Sequence, residues 1–327
     1  MEIGHAQLAI MLHSVPHLGP RGIARLLKDV PSGDCRVHLE DLGFWNVSPD
    51  TLRKMYSLHP AAAECIVNQR EQLLSASSEI ATAVDRLGIK VITLNDSDYP
   101  TCIREYEHYP PPILYAYGNI GLLSDQKFAV ISSSKIDSHG VEVMREIAGL
   151  LCDGGLAAVT SHNTEPYQVV GLTAKSRNAP ICLILDRGIL SAFPRGLGWE
   201  PVAQARIWGL RFDPDRDLVL SKFRVYDPWI GANGRERDRM VFALADIVVA
   251  VEVRTGGIME AECLRALKYG REVYVYGPED DHMPSGNRKL LESGGNRISR
   301  DWAPSLVATL DLPNGLIPDG FSTGEWE

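Results

Sequence analysis

"VITLNDSDYPTCIREYEHYPPPILYAYGN" spans Val91–Asn119 and stands just ahead of "FAVISSSK", Phe128–Lys135. Pro100, Pro110, Pro111 and Pro112 exclude one long helix, because proline lacks a backbone donor and clashes with the preceding turn. The ends, Val91–Leu94 and Ile113–Tyr117, have the composition of strands. The stretch reads as a plain linker or as the entry to an α/β domain, and its surroundings favour the entry. Its ends are expected to pair as strands and pack against the edge of that domain, with Pro110–Pro112 turning the chain into it.

Downstream, "FAVISSS", "LAAVTS", "PICLILD", "DLVLS", "DIVVAVEV" and "REVYVYG" are short apolar runs with little alternation. Strands covered on both faces, as in a parallel sheet, have that character. Helical stretches separate them. In "HGVEVMREIAGLLCDGG", Val141, Met144, Ile147, Leu150 and Leu151 are expected to share a face, and Gly154-Gly155 to stop the helix. The alternation implies an α/β domain with a doubly wound, mostly parallel sheet.

Upstream, residues 1–80 look helical. Leu8, Met11, Leu12 and Val15 form one stripe, and Ile23, Leu26 and Leu27 resume the period after Gly19-Pro20. Two helices around such a turn read as a helix-hairpin-helix, whose exposed N–H groups hold phosphate, or as a simple packing unit. The expected division is a helical domain over 1–80, an α/β domain over 81–303 and a loose tail over 304–327.

The 327 residues are 45% apolar and 23% charged, ordinary for a soluble globular protein. No apolar run is long enough to span a membrane, and no basic segment precedes the first apolar residues as in a signal peptide. Six scattered cysteines without a CxxC read as reduced thiols of a cytoplasmic protein. No metal site is expected, because close Cys/His pairs are absent, and no cofactor. A net charge of −9 argues against loose, whole-surface binding of nucleic acid, so any such site must be local.

Doubly wound sheets bind ligands beyond the C-terminal ends of their strands. Ser132, Ser133, Ser134 and Lys135 follow "FAVI" and offer hydroxyls, backbone N–H groups and a charge to a phosphate. A GxGxxG fingerprint is absent. Ser161 and His162 follow the next strand, and Thr164 can cap a helix with Pro166 at its first position. Arg235, Arg237 and Arg239 lead into a short helix. Alternate positions cannot all face one way, and Arg235 is the one read as solvated. Thr255-Gly256-Gly257 then opens a helix whose N–H groups can take an anion.

Together these segments resemble the DprA/Smf DNA-processing family over about residues 10–300. "VPHLGPRGIARLL", "DSDYP", "YPPPILYAYGN", "LVLSKF", "RERDRM", "VVAVEVRTGGIMEA" and "PSGNRKLLESGG" occur in the family's order and spacing. The resemblance implies an extended Rossmann-like domain that binds single-stranded DNA in a basic pocket, a homodimer, and loading of a RecA-type recombinase. Ser132–Lys135 fall on the family's G-S-R, Ser161 on the serine of its S-G-x-A-x-G-I-D loop, Arg237 and Arg239 on its R-N-R, and Gly256 on its S-G. Lys135 stands for an arginine, Asp238 for an asparagine and Glu260 for a small hydroxyl residue, while "SHNTEPYQ" lacks the loop's glycines. Those changes open two alternatives. One is a nucleoside-monophosphate phosphoribohydrolase of the LOG type, with Arg237 and Glu260 catalytic. The other is a sensor that binds a nucleotide without turnover. Tyr226 and Trp229 could stack on bases or serve only in packing.

Overall fold

The two ends of the opening stretch pair with each other. In the computed structural model, which describes residues 2–31, 33, 35–197, 212–277 and 283–299, Ile89–Thr93 runs antiparallel to Ile113–Gly118, in register from Ile89 opposite Tyr117 to Thr93 opposite Ile113. Ile113–Gly118 then pairs antiparallel with Leu218–Ser221, the apolar run in "DLVLS". The stretch is therefore no linker. Its first strand falls within "LGIKVITL", Leu87–Leu94, and Gly88, at φ +68°, turns the chain into it out of the helix Arg70–Arg86. Between the strands, Pro100 caps the short helix Thr101–Tyr106, and Tyr99 donates its hydroxyl to the Pro111 carbonyl at 2.7 Å.

These strands belong to the first of two compact units, Met1–Leu123 with Leu185–Trp199 and Leu218–Gly234. Its helices are His5–Ser14, Pro20–Leu27, Pro49–Tyr56, Pro60–Asn68, Arg70–Arg86, Thr101–Tyr106 and the short Ile189–Ala192. The expected stripe Leu8, Met11, Leu12 and Val15 is buried, and so are Ala9 and Ile10, so His5–Ser14 is covered nearly all round. Gly19-Pro20 is not the turn itself. Gly19 is the cap and Pro20 the first residue of the second helix. Pro16–Leu18 make the reversal, with His17 in the left-handed region at φ +60°. The helical reading of residues 1–80 also passed over a two-stranded ladder, Glu2–Gly4 against Arg36–His38.

The second unit comprises Ser124–Ile184, Glu200–Asp217 and Arg235–Glu327. Six strands pair in parallel: Asn296–Ile298, Glu272–Tyr276, Ile247–Ala250, Lys127–Ile131, Ala157–Thr160 and Ile181–Ile184, in that spatial order. Four of these strands, Ile247–Ala250, Lys127–Ile131, Ala157–Thr160 and Ile181–Ile184, are buried at every residue, as continuous apolar runs require. From Lys127–Ile131 the chain winds first to one side, through Ala157–Thr160 and Ile181–Ile184. It then crosses back to Ile247–Ala250 and winds to the other. This is the doubly wound order of a Rossmann-like sheet, with its switch point between Lys127–Ile131 and Ile247–Ala250.

The helix Ser138–Asp153 buries Val143, Met144, Ile147, Ala148, Leu151 and Cys152 in one cluster with Phe128, Val130, Ala158 and Val249. Val141 and Leu150 of the expected face are only half-buried. The seam runs through paired positions 143/144, 147/148 and 151/152, the spacing that a 3.6-residue period places on one side. The expected tail at 304–327 lies outside the described residues.

Candidate functional site

At the switch point the loops leaving the two central strands are stitched together. Val251 donates its N–H to the Ile131 carbonyl at 3.0 Å, and Ser133 to the Glu252 carbonyl at 2.8 Å. The Ser132 hydroxyl donates to that same carbonyl at 2.9 Å. Arg254 donates its backbone N–H to the Ser133 Oγ at 3.0 Å and its Nη2 to the Lys135 carbonyl at 3.2 Å. Ser132 and Ser133 are buried by this work, whereas Ser134, Lys135, Arg254, Thr255 and Gly256 are exposed. Gly256 sits at φ +75° in the turn closed by Gly257 N–H on the Arg254 carbonyl, 3.2 Å. Gly257 caps the helix Ile258–Lys268.

A third segment clamps the second loop from behind. Asn287, fully buried, accepts the Val253 N–H at 2.9 Å and donates to the carbonyls of Val251 and Tyr276 at 2.7 and 2.8 Å. Gly286 donates its N–H to the Val253 carbonyl at 3.1 Å, and a Cβ there would stand 2.4 Å from that oxygen. Only glycine allows so close an approach.

The helix Ser138–Asp153 starts just past Lys135, where a Rossmann-like fold would seat a phosphate. Two carboxylates hold that place. Asp137 accepts the Gly140 N–H at 2.7 Å, and Glu252 accepts the Asp137 N–H at 3.3 Å. Negative charge suits a helix N-terminus, and the chain supplies it from its own side chains. A Cβ on Gly140 would come within 2.8 Å of the Glu252 carboxylate. The cations exposed beside these loops are Lys135 and Arg254.

The three arginines separate. All lie on the helix Asn233–Leu244. Arg235 is exposed. Arg237 is only 4% exposed. Its Nε donates to Asp238 at 2.8 Å, its Nη1 to Ser161 Oγ at 3.1 Å and to Asn163 Oδ1, and its guanidinium stacks 4.8 Å from the Tyr167 ring centre. Tyr167 also donates its hydroxyl to Asp238 at 2.8 Å. Burial, reinforced by the Asp238 carboxylate, raises the Tyr167 phenol far above its ordinary range, with Arg237 opposing. Ser161 is buried as well and donates to the Ile184 carbonyl at 2.8 Å. Arg239 is half-buried, 3.3 Å from Glu236 and 3.5 Å from Glu262. Glu260 is buried, 2.6 Å from Lys289 Nζ, and its second oxygen carries no hydrogen bond among the described residues. No hydrogen bond or ion pair joins Arg237 to Glu260 among those residues.

Comparison with known proteins follows the same lines. The family described as DNA recombination-mediator protein A matches residues 90–162, from the opening stretch to Ser161-His162. Protein Smf of Borreliella burgdorferi is 23% identical over 231 residues, covering 70% of this chain and 69% of that protein. Over these residues the chain is similar to the DprA/Smf family. Solved DprA structures share its fold. DprA from Streptococcus pneumoniae superposes with a TM-score of 0.67 at 17% identity, covering 94% of this chain and 97% of that one. DprA from Helicobacter pylori, described for its single-stranded DNA binding mode, gives 0.53 at 18% identity, over 68% and 94%.

Of the expected site residues, Ser132–Lys135 and the segment leading to Gly256 meet at the switch point, while Arg237 bonds to Ser161. Thr164 occupies the helix cap but makes no side-chain capping bond, and Pro166 is the second helical residue rather than the first. His162 is half-buried, and its carbonyl accepts from Gln168 at 2.9 Å. Sequence reasoning passed over Arg254, Glu252, Gly286 and Asn287 as site residues. The Gly-x-Asn of "PSGNRKLLESGG" was the available signal for the last two. Among the described residues no helix is long and apolar enough to cross a membrane, and four of the six cysteines are buried.

Proposed function

We propose that this chain binds single-stranded DNA through the stitched loops at the switch point. One observation carries the reading. Lys135 and Arg254 are brought side by side, exposed, and neither forms an ion pair with any described residue. In a chain of net charge −9, two exposed cations outside any ion pair and tied together by the Arg254 bond to the Lys135 carbonyl suit a polyanion. Ser134, Thr255 and the Gly256-Gly257 helix start add polar edges for phosphate oxygens. Ser132 and Ser133 act from beneath, holding these loops in place, while Ser161 and Arg237 bond to each other and Arg239 stands on its acidic partners. The single-strand binding described for the Helicobacter pylori relative supports the same ligand class. Tyr226 and Trp229, 58% and 53% exposed, are free to stack on bases. The family reading extends to a RecA-type recombinase partner and a homodimer, which pull-down and light scattering test.

The deciding experiment titrates oligonucleotides and mononucleotides across a salt series. The expected result is preference for the oligonucleotide, with affinity falling steeply as salt rises because counterions are released. Lys135→Ala with Arg254→Ala should reduce that slope by about 1.4, at roughly 0.7 per lost single-strand contact. Equal binding of parent and double variant at every salt concentration overturns the proposal.

A further inference from the structure

Three exposed loops of the first unit converge on one face. The turn between the first two helices carries His17 and Arg21, the residue ahead of Pro60 is His59, and the proline-rich stretch contributes His108 and Tyr109. All five are exposed. The Arg21 guanidinium carbon lies 3.5 Å from the centre of the Tyr109 ring. The His108 ring meets the same phenol at 4.3 Å, edge-on at 66°. His17 and His59 stack at 5.3 Å and 28°. The buried side chains of Leu18 and Leu58 both press on Gly22, reaching 2.6 and 3.2 Å from where its Cβ would stand. The His17 turn and the His59 loop are thus packed as one block.

Several cations near these loops or elsewhere in the unit are tied to partners in the chain. Arg25 donates to the carbonyls of Tyr56 and Ser57, Arg104 to that of Leu94, Arg53 to Asp50 and Lys90 to Asp98. Arg21, His17 and His108 make no hydrogen bond or ion pair with any described residue. His59 uses only Nδ1, which accepts the Ala61 N–H at 3.2 Å. The helix start contributes little, since Pro20 has no N–H and Gly22 bonds the Gly19 carbonyl at 2.9 Å. The side chains make the surface: flat guanidinium, imidazole and phenol faces beside unpaired donors. Unpaired nucleotides fit both features, with bases on the planes and phosphates on the guanidinium. A duplex hides its base faces, and an acidic peptide would leave the rings idle.

We infer that the first unit carries a second contact surface for single-stranded nucleic acid, formed by His17, Arg21, His59, His108 and Tyr109. The inference rests on the single-strand reading above but on a different set of residues from Lys135 and Arg254. Photo-crosslinking the full chain to an oligonucleotide containing 4-thiothymidine, with peptide mapping and a parallel salt titration, tests it. The Tyr109 peptide should be labelled in the parent and in the Lys135→Ala, Arg254→Ala variant. Arg21→Ala with Tyr109→Ala should lose that label and bind about ten-fold more weakly. Tyr109→Phe keeps the ring face and should bind like the parent, and Arg21→Glu alone should weaken binding at an unchanged melting temperature. If the parent binds but is labelled only around 132–135 and 254–257, or the Arg21, Tyr109 double variant titrates like the parent, this surface is wrong while the first stands. If the parent binds no oligonucleotide, both fail.

Discussion

The guanidinium of Arg237 lies 2.8 Å from the carboxylate of Asp238, its neighbour in sequence, and both side chains are at least nine-tenths buried. The same carboxylate oxygen takes the Tyr167 hydroxyl. An arginine enclosed in this way is bound to the protein rather than available to a ligand. Removing one member of a buried ion pair strands the other, which costs about 3–5 kcal/mol. Arg237→Ala should therefore lower the unfolding free energy by about that amount in urea titrations. Arg237→Met with Asp238→Leu should recover much of the loss, because the orphaned charge goes too. Lys135→Ala, at an exposed position, should leave the urea midpoint unchanged. An Arg237→Ala protein of undiminished stability that no longer bound DNA would reverse the assignment and make this arginine a phosphate contact.

Asn287 and Gly286 should matter to binding although both are buried. Asn287→Ala removes three hydrogen bonds to the backbone and leaves one N–H and two carbonyls without that partner. Each buried orphan costs about 1–3 kcal/mol, so a loss of about 3 kcal/mol or more is expected. Gly286→Ala forces a methyl against the Val253 carbonyl. Both variants should speed hydrogen exchange at the Val253 amide and weaken oligonucleotide binding, with Lys135 and Arg254 still in the chain. Protection at Val253 equal to the parent's would refute the clamp.

The opening stretch was legible because its signals are local. Prolines bar a helix, strand-forming residues flank them, and the continuous apolar runs downstream announce a sheet covered on both faces. The roles of Ser132, Ser133 and Arg237 were not legible. A hydroxyl after a strand looks the same whether it faces a phosphate or, as Ser132 does, a carbonyl 120 residues further on. Arg237 reads as a surface charge until Ser161 and Asn163, 76 and 74 positions back, are folded against it. The helix face after Lys135 was misjudged for a simpler reason. Val141 and Val143 are equally apolar, and only the neighbouring strand decides which one is covered.

Glu260 separates binding from hydrolysis. Its carboxylate is buried at the start of the helix Ile258–Lys268 and paired with Lys289. A phosphoribohydrolase would use that carboxylate against charge developing on ribose, with Arg237 orienting it, but the two residues have separate partners here. The parent should release no free base from a nucleoside monophosphate, as followed by chromatography. Glu260→Gln should bind oligonucleotides like the parent, because the charge it removes is buried. Base release by the parent, abolished in Glu260→Gln, would instead establish the enzyme.

Acid should weaken the first unit through His13. Its Nδ1 is hydrogen-bonded to the Tyr115 hydroxyl at 3.0 Å. Burial, with a smaller contribution from Arg224 and against the pull of Asp227, lowers its pKa from 6.5 to about 4. The unfolded chain therefore takes up this proton first as the pH falls. The stabilisation is fully present above about pH 6.5 and is lost progressively as the pH drops towards 4. At 1.36 kcal/mol per pH unit, the loss attributable to this residue by pH 5 is about 2 kcal/mol. Urea midpoints of the parent and His13→Gln at pH 7.5, 6 and 5 measure it by difference, which cancels the carboxylates that titrate in the same range. The parent should lose its advantage over the variant as the pH falls, and an advantage that stayed constant from 7.5 to 5 would mean that His13 titrates alike in the folded and unfolded protein.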